Sequence, residues 1–172
     1  MVIKICLVGT ESTGKTTLVK KLAEHYHTDY VPEMAREIIE GTEFCTEDHL
    51  MQIAELHAKT IREKTKTANK ILFIDTDLVV TQSYSQYLFG KEMVVADWIE
   101  KENKFDLYLY LENDAPFVQD GTRLEIAERN KLNDSHKKEL AKRNLSYQLI
   151  TGNYEERFEN AVRIIDSFLK NK

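Results

Sequence analysis

The stretch Gly9-Thr10-Glu11-Ser12-Thr13-Gly14-Lys15-Thr16 constrains the fold more than any other part of the chain. It matches G-x-x-x-x-G-K-[ST], the pattern of phosphate-binding loops, without substitution. Gly9 and Gly14 permit backbone angles and close approaches that a Cβ forbids. The amides of Glu11 to Thr16 then turn inward at a helix start, where unpaired N–H groups attract anionic oxygens. Lys15 offers a point charge to the β- and γ-phosphates of a nucleotide, and the Thr16 hydroxyl offers an oxygen to Mg²⁺. The flanks fit as well. Residues 2–8 (VIKICLV) read as a buried strand, and residues 16–25 (TTLVKKLAEH) carry apolar side chains at helical spacing. We therefore expect ATP to be held by Gly9, Glu11, Ser12, Thr13, Gly14, Lys15, Thr16 and Thr17.

The rest of the chain alternates in the same way. Residues 28–31 (TDYV) suggest a short second strand stopped by Pro32. Glu33 and Arg36 stand three apart on the expected first turns of a helix, hence on one face, as candidate ligands for an acceptor. Residues 46–66 read as a long polar helix with Leu50, Ile53, Ala54, His57 and Ile61 as its buried stripe. On such a stripe His57 is expected to be a core histidine rather than a ligand.

Residues 70–75 (KILFID) form a second buried strand ending in Asp75. An apolar run ending in an acid puts a carboxylate at the carboxyl edge of a parallel sheet, where Asp75 and Thr16 can share one Mg²⁺. Asp77 is either a second carboxylate over that crevice or the N-cap of a helix over 78–89. A shorter helix at 94–101, with Trp98 in the core, and a strand at 105–111 follow. Residues 115–130 are polar and glycine-bearing, and they read as a lid that brings Arg123, with Arg129 behind it, to the transferring phosphoryl. The alternative there is a helix with exposed arginines. A helix through 142, a strand at 146–150, a tight loop at 151–154 and an amphipathic helix at 155–169 complete the pattern.

This order predicts a three-layer α/β fold of the P-loop NTPase type, with a mostly parallel five-stranded sheet and a lid at about 115–130. A chain of 172 residues suits one domain over 1–172. No apolar run approaches the ~20 residues of a membrane span, and the first strand leaves no room for a cleavable leader. Cys6 and Cys45 form no C-x-x-C pair, so a reducing cytoplasm is expected, with Cys6 a small core hydrophobe. A net charge of −5 argues against a broad nucleic-acid surface. Asn130-Lys131-Leu132-Asn133 approaches the guanine-reading N-K-x-D but ends in Asn, and no D-x-x-G follows the third strand. The partners expected are thus ATP and a small-molecule acceptor, neither nucleic acid nor membrane, and the enzyme class is a small kinase. A nucleotide-binding regulatory switch with slow ATPase activity is the rival.

Four segments narrow this further. FIDTD (73–77), FDLYLYLEND (105–114), PFVQDGTR (116–123) and GNYEERF (152–158) resemble, in the same order, the kinase domain of the NadR-type nicotinamide riboside kinases. The resemblance implies phosphorylation of the ribosyl 5′-hydroxyl of nicotinamide riboside by ATP. It also implies that Arg123 faces the phosphates and that Gly152 and Tyr154 border the adenine. The adenylyltransferase and DNA-binding segments of larger members have no counterpart here, so it implies the kinase activity alone. Pro32 and Glu63 stand where that family is expected to stack aromatics on the pyridine ring, with Tyr84 or Phe117 as replacement rings. Asp75 ranks first among candidate bases, ahead of Asp77 and Glu33, and Glu33, Arg36 and Asp77 are the expected ligands of ribose hydroxyls.

Overall fold

Every predicted apolar run becomes a strand of one parallel sheet. The computed structural model describes residues 1–39, 45–114 and 126–172, leaving out the side chain of Arg36. Its strands are β1 (Ile3–Val8), β2 (Tyr30–Val31), β3 (Ile71–Asp75), β4 (Leu107–Leu111) and β5 (Gln148–Ile150), in the order β2-β3-β1-β4-β5. All four pairings are parallel. The helices are α1 (Lys15–His25), α2 (Ala35–Ile38), α3 (Glu47–Thr67), α4 (Leu78–Phe89), α5 (Asp97–Glu102), α6 (Ile126–Lys142) and α7 (Tyr154–Lys170). None of them is long and apolar enough to cross a membrane.

The period-2 alternation of each strand divides the core into two. Ile5, Leu7, Phe73, Leu109 and Leu111 face α1 and α7, where they meet Leu18, Leu22, Ala161 and Ile165. Cys6, Val8, Leu72, Ile74 and Tyr110 face the other way, against Leu50, Ile53, Ala58 and Ile61 of α3 and Val79 of α4. Both faces are covered, which is why the strands read as unbroken apolar runs. Each fully buried aliphatic side chain contributes about 1.5–3 kcal/mol by leaving water. Cys6 is buried among them and its thiol reaches the Thr76 carbonyl, at 3.4 Å.

Several boundaries differ from the sequence pattern for identifiable reasons. The second strand starts at Tyr30, because the Thr28 hydroxyl bonds the Ile71 carbonyl and the Asp29 carboxylate accepts from Tyr30 N. The fifth helix starts at Asp97 rather than at residue 94, since the chain is still extended at Ala96 and alternates a buried Met93, an exposed Val94 and a buried Val95. Trp98 is not in the core. It is half-buried, with the Arg62 guanidinium 4.9 Å from its ring, and Ile99 fills the interior instead. The expected lid falls mostly on residues outside those described, and its last part, 126–130, is the first turn of α6.

Three of the buried titratable groups bear on the pH dependence of stability. His57 lies on the inner face of α3, with no hydrogen bond at Nε2, and burial pulls its pKa down to about 4. His136 on α6 meets the Ser83 hydroxyl at 2.9 Å, and burial, aided by the charge of Lys15, pulls it to about 3. Asp77 caps α4, its carboxylate accepting from Val80 N at 2.9 Å, and burial pushes its pKa up to about 6.

Both histidines stay neutral in the fold while an unfolded histidine protonates near 6.5, so their contribution is present above that pH and is lost as pH falls toward 4 and 3. Asp77 opposes them. Its penalty is absent near pH 4 and grows as pH rises toward 6. The histidine shifts are the larger, so stability is expected to rise from pH 5 to pH 7, by on the order of 2 kcal/mol. Asp77→Asn retains a good cap and should widen that difference. Urea midpoints that are equal at the two pH values, or a difference that narrows in Asp77→Asn, would contradict the assignment.

Two left-handed glycines give a second test. A Cβ on Gly9 (φ 146°) would stand 2.5 Å from the Leu111 carbonyl oxygen, whereas one on Gly90 (φ 65°), the C-cap of α4, meets nothing within 4 Å. Gly90→Ala should therefore cost about 1–2 kcal/mol of backbone strain. Gly9→Ala should cost at least about 3 kcal/mol, because β4 must move as well. Thermal unfolding of the two variants compares them directly.

Candidate active site

Strand order builds the site. β1 lies between β3 and β4, so the loop after Val8 emerges between the carboxyl ends of both neighbours. Gly9 lets that loop pass against Leu111. Gly14 adopts a left-handed angle (φ 82°) as the N-cap of α1, and a Cβ there would meet the Tyr154 ring at 2.8 Å. Ser12 is also left-handed, at φ 57°. Inside the loop the Thr13 hydroxyl donates to the Thr10 carbonyl at 2.8 Å, and Lys15 Nζ donates to the same oxygen at 2.7 Å. The start of α1 has no side-chain cap and no acid in its first turn, so the positive end of its dipole faces the loop. Thr16 and Thr17 are exposed on that turn, while Thr13 is buried and serves the loop itself.

From the β3 side, Asp75 rises directly beneath this turn. Its Oδ2 accepts from the Thr16 hydroxyl at 2.6 Å, which brings together the two residues expected to share a metal. Thr16 covers it, and Asp75 is fully buried. Asp77 takes the other of its two expected courses. It is 1% exposed and turned to its helix cap, on the side of Tyr108, and it does not line the crevice beside Asp75.

The acceptor side is built differently from the expectation. Glu33 is half-buried and precedes α2, which starts at Ala35, so Glu33 and Arg36 do not share a helical face. The Arg36 side chain lies outside what is described, as do Phe117 and Arg123. Glu11 was expected to contribute its amide, and its carboxylate also has a partner: it accepts from the Tyr84 hydroxyl at 3.1 Å. Burial raises the Tyr84 phenol well above its ordinary range, with the charges of Glu11 and Glu33 adding to the effect. Tyr84 thus lies between the phosphate loop and the end of β2. Its ring is 5.5 Å from that of His136. Arg129 is buried, not exposed, and its guanidinium donates to the Asn113 carbonyl at 3.3 Å. Glu63 is exposed on α3.

The β5 side holds a residue that pattern reading missed. Arg157, 2% exposed, donates from Nε to the Gly152 carbonyl at 2.7 Å, from Nη1 to the Thr13 carbonyl at 3.0 Å and from Nη2 to the Glu112 carbonyl at 3.0 Å. It also pairs with Asp114 Oδ1, and Asp114 Oδ2 accepts from Gly152 N at 2.8 Å. Asn153 caps α7 by accepting from the amides of Glu155 and Glu156, and the Glu156 carboxylate accepts from Asn153 N, a closed capping box. Gly152 has no room for a Cβ, which would stand 2.4 Å from that carboxylate. A signal was available in the sequence. Arg157 falls at i, with Ala161 and Ile165 at i+4 and i+8, on the buried stripe of α7.

Comparison with known proteins agrees with this geometry. The family described as AAA domain matches residues 4–157. The trifunctional NAD biosynthesis/regulator protein NadR of Escherichia coli is 32% identical over 169 residues, covering 94% of this chain and 41% of that protein. NadR of Salmonella typhimurium is 38% identical over 124 residues, covering 69% of this chain and 30% of that protein. The chain thus spans less than half the length of these curated relatives. Among solved structures, NadR in complex with NR superposes with a TM-score of 0.79 at 23% identity, over 97% of this chain and 51% of that one. A deoxyadenosine kinase from M. mycoides superposes with a TM-score of 0.73 at 12% identity, over 96% of this chain and 100% of that one. Sheet order, phosphate loop and family match converge on one conclusion: the chain belongs to the AAA domain family, has a P-loop kinase fold, and is homologous to NadR.

Proposed function

We propose that the chain is a Mg·ATP-dependent kinase that phosphorylates a ribosyl hydroxyl of a nucleoside-like acceptor, with nicotinamide riboside the foremost substrate, working as one cytoplasmic domain over 1–172. The observation that carries this reading is the contact of 2.6 Å between Thr16 Oγ1 and Asp75 Oδ2 beneath the Lys15 loop. A hydroxyl and a carboxylate at one spot, beside amides that cradle phosphate, are the donor set a Mg²⁺ accepts next to phosphate oxygens and retained water. Thr16 would hold the ion directly and Asp75 through water. When bound, it supplies charge neutralisation on the β- and γ-phosphate oxygens.

The protein's own residues do the rest by positioning. The amides from Glu11 to Thr17 hold the β-phosphate, and Lys15 exchanges the Thr10 carbonyl for phosphate oxygens. Gly152 and Tyr154 border the adenine. For the acceptor proton we assign Glu33 ahead of Asp75 and Asp77, because Asp75 is held by Thr16 and Asp77 by the start of α4. Glu33 stands at the carboxyl end of β2, within electrostatic reach of Tyr84, where an acceptor can meet the crevice. Arg36 is assigned to the ribose diol. Arg123, on the sequence pattern alone, is assigned to the charge of the transferring phosphoryl. Pro32 offers no ring to the base and Glu63 none from α3, so the replacement ring is assigned to Tyr84 among the described residues, with Phe117 the other sequence candidate.

ADP release measured with nicotinamide riboside, other nucleosides and free sugars tests the reading. Nicotinamide riboside is expected to raise the rate well above the acceptor-free background. Lys15→Ala should lose nearly all of that rate, and Glu33→Gln should lower kcat by roughly 10²–10⁴ with little change in ATP affinity. Slow hydrolysis that no acceptor accelerates would favour the regulatory switch, and acceleration by another nucleoside alone would replace the substrate.

A further inference from the structure

We propose that Arg157 is a positioning residue that couples the loop bordering the nucleotide base to the loop holding its phosphates, so that the two grip one nucleotide as a unit. The inference rests on the nucleotide site proposed above. Its observation is the set of acceptors that the guanidinium reaches: Gly152 in the loop after β5, Thr13 inside the phosphate loop, and Glu112 and Asp114 after β4. The most distant of these acceptors, Thr13, lies 144 residues from Arg157 in sequence. All of them sit at the carboxyl edge of the sheet, where the ligand enters.

A simpler role would be to anchor α7. That task is done elsewhere, by Ala161 and Ile165 packed among Leu18, Leu22, Leu109 and Leu111. The acceptors of Arg157 that the structure records are all on loops and none is on α1, the helix that α7 packs against. Burying a cation is unfavourable unless its donors are matched, and an aliphatic residue would dock a helix with less penalty. The planar fork of arginine presents donors in several fixed directions, which an ammonium on a flexible stem does not.

Two effects follow for the ligand. The bond to the Thr13 carbonyl fixes the peptide ahead of Gly14 and polarises it, which makes the Gly14 amide a better donor to phosphate. The bond to Gly152, closed by Asp114 on both the Gly152 amide and Arg157, fixes the base-side loop to that same peptide. Tyr154, whose ring lies against Gly14, belongs to the coupled unit. A nucleotide then meets two preset surfaces at one spacing, whereas an inorganic phosphate chain uses only one of them.

The test compares ATP with inorganic tripolyphosphate by calorimetry, in the presence of Mg²⁺, with unfolding temperatures measured in parallel. Asp114→Ala removes an exposed side chain and frees the base-side loop while leaving the bond from Arg157 to Thr13. It should weaken ATP about 10- to 100-fold, the loss expected for charge-assisted hydrogen bonds, and change tripolyphosphate less than about twofold. Arg157→Lys keeps the charge but not the fork, and should weaken both ligands while still reducing the preference for ATP. Asp114→Asn, which restores one acceptor, should recover part of the lost affinity. Equal losses for ATP and tripolyphosphate in Asp114→Ala, or no loss for either, would overturn the coupling. A wild-type protein that binds neither ligand would instead overturn the nucleotide site, and the coupling with it.

Discussion

The approach of Gly9 to the Leu111 carbonyl is the contact on which the remaining arrangement depends. It sets how near β4 can come to the loop that leaves β1, and hence the width of the cleft. Asp75 and the Thr16 hydroxyl meet on one side of that loop, while Glu112, Asp114 and Arg157 close on the other. A methyl group at residue 9 would part these two halves. Conformational freedom at one glycine is thus converted into the spacing of five polar groups that lie far apart in sequence.

Beneath the cleft several ionisable groups are buried, and three different physical routes accommodate them. His57 and His136 stay neutral, Asp77 is pushed toward its protonated form, and Arg157 has an acceptor on each of its three nitrogens. Water-poor surroundings strengthen the hydrogen bonds that remain and penalise any that are lost. A phosphate-binding loop supported in this way is stiff where its amides must point at the ligand. The Tyr84–Glu11 bond extends that support toward the end of β2.

Much of this was legible in the sequence because it is local. The five strand segments and their mostly parallel pairing follow from periodicity and from residue types at strand ends, whereas the sequence leaves open whether Asp77 caps α4 or lines the crevice. The meeting of Thr16 and Asp75 also followed, since Asp75 ends β3 and the loop leading to Thr16 leaves the carboxyl end of the adjacent parallel strand β1. The resemblance to NadR-type proteins rested on short motifs in a fixed order, and it agrees with the homology found over most of the chain. What escaped was set by distant partners. Trp98 has the composition of a core residue, yet Arg62 of α3 offers it a cation at the surface. Glu33 and Arg36 have helical spacing, yet the helix begins only at Ala35. Arg157 falls on the buried stripe of α7, yet its acceptors, Thr13 among them 144 positions away, are not legible from local pattern.

The central place of β1 also has a bearing on how the chain comes into being. Within this sheet β1 is made before the neighbours it pairs with: Ile3 pairs with Ile71, and Ile5 with Leu107. On a ribosome adding about 5–20 residues per second, IKICLV waits roughly 3–14 s before β3 emerges, and longer for β4. Through that interval an aggregation-prone apolar segment has no sheet neighbour except what a chaperone or a non-native contact supplies. The risk of self-association of nascent copies through this segment is therefore greatest between the synthesis of β1 and that of β3, before the half of the cleft that contains Asp75 exists.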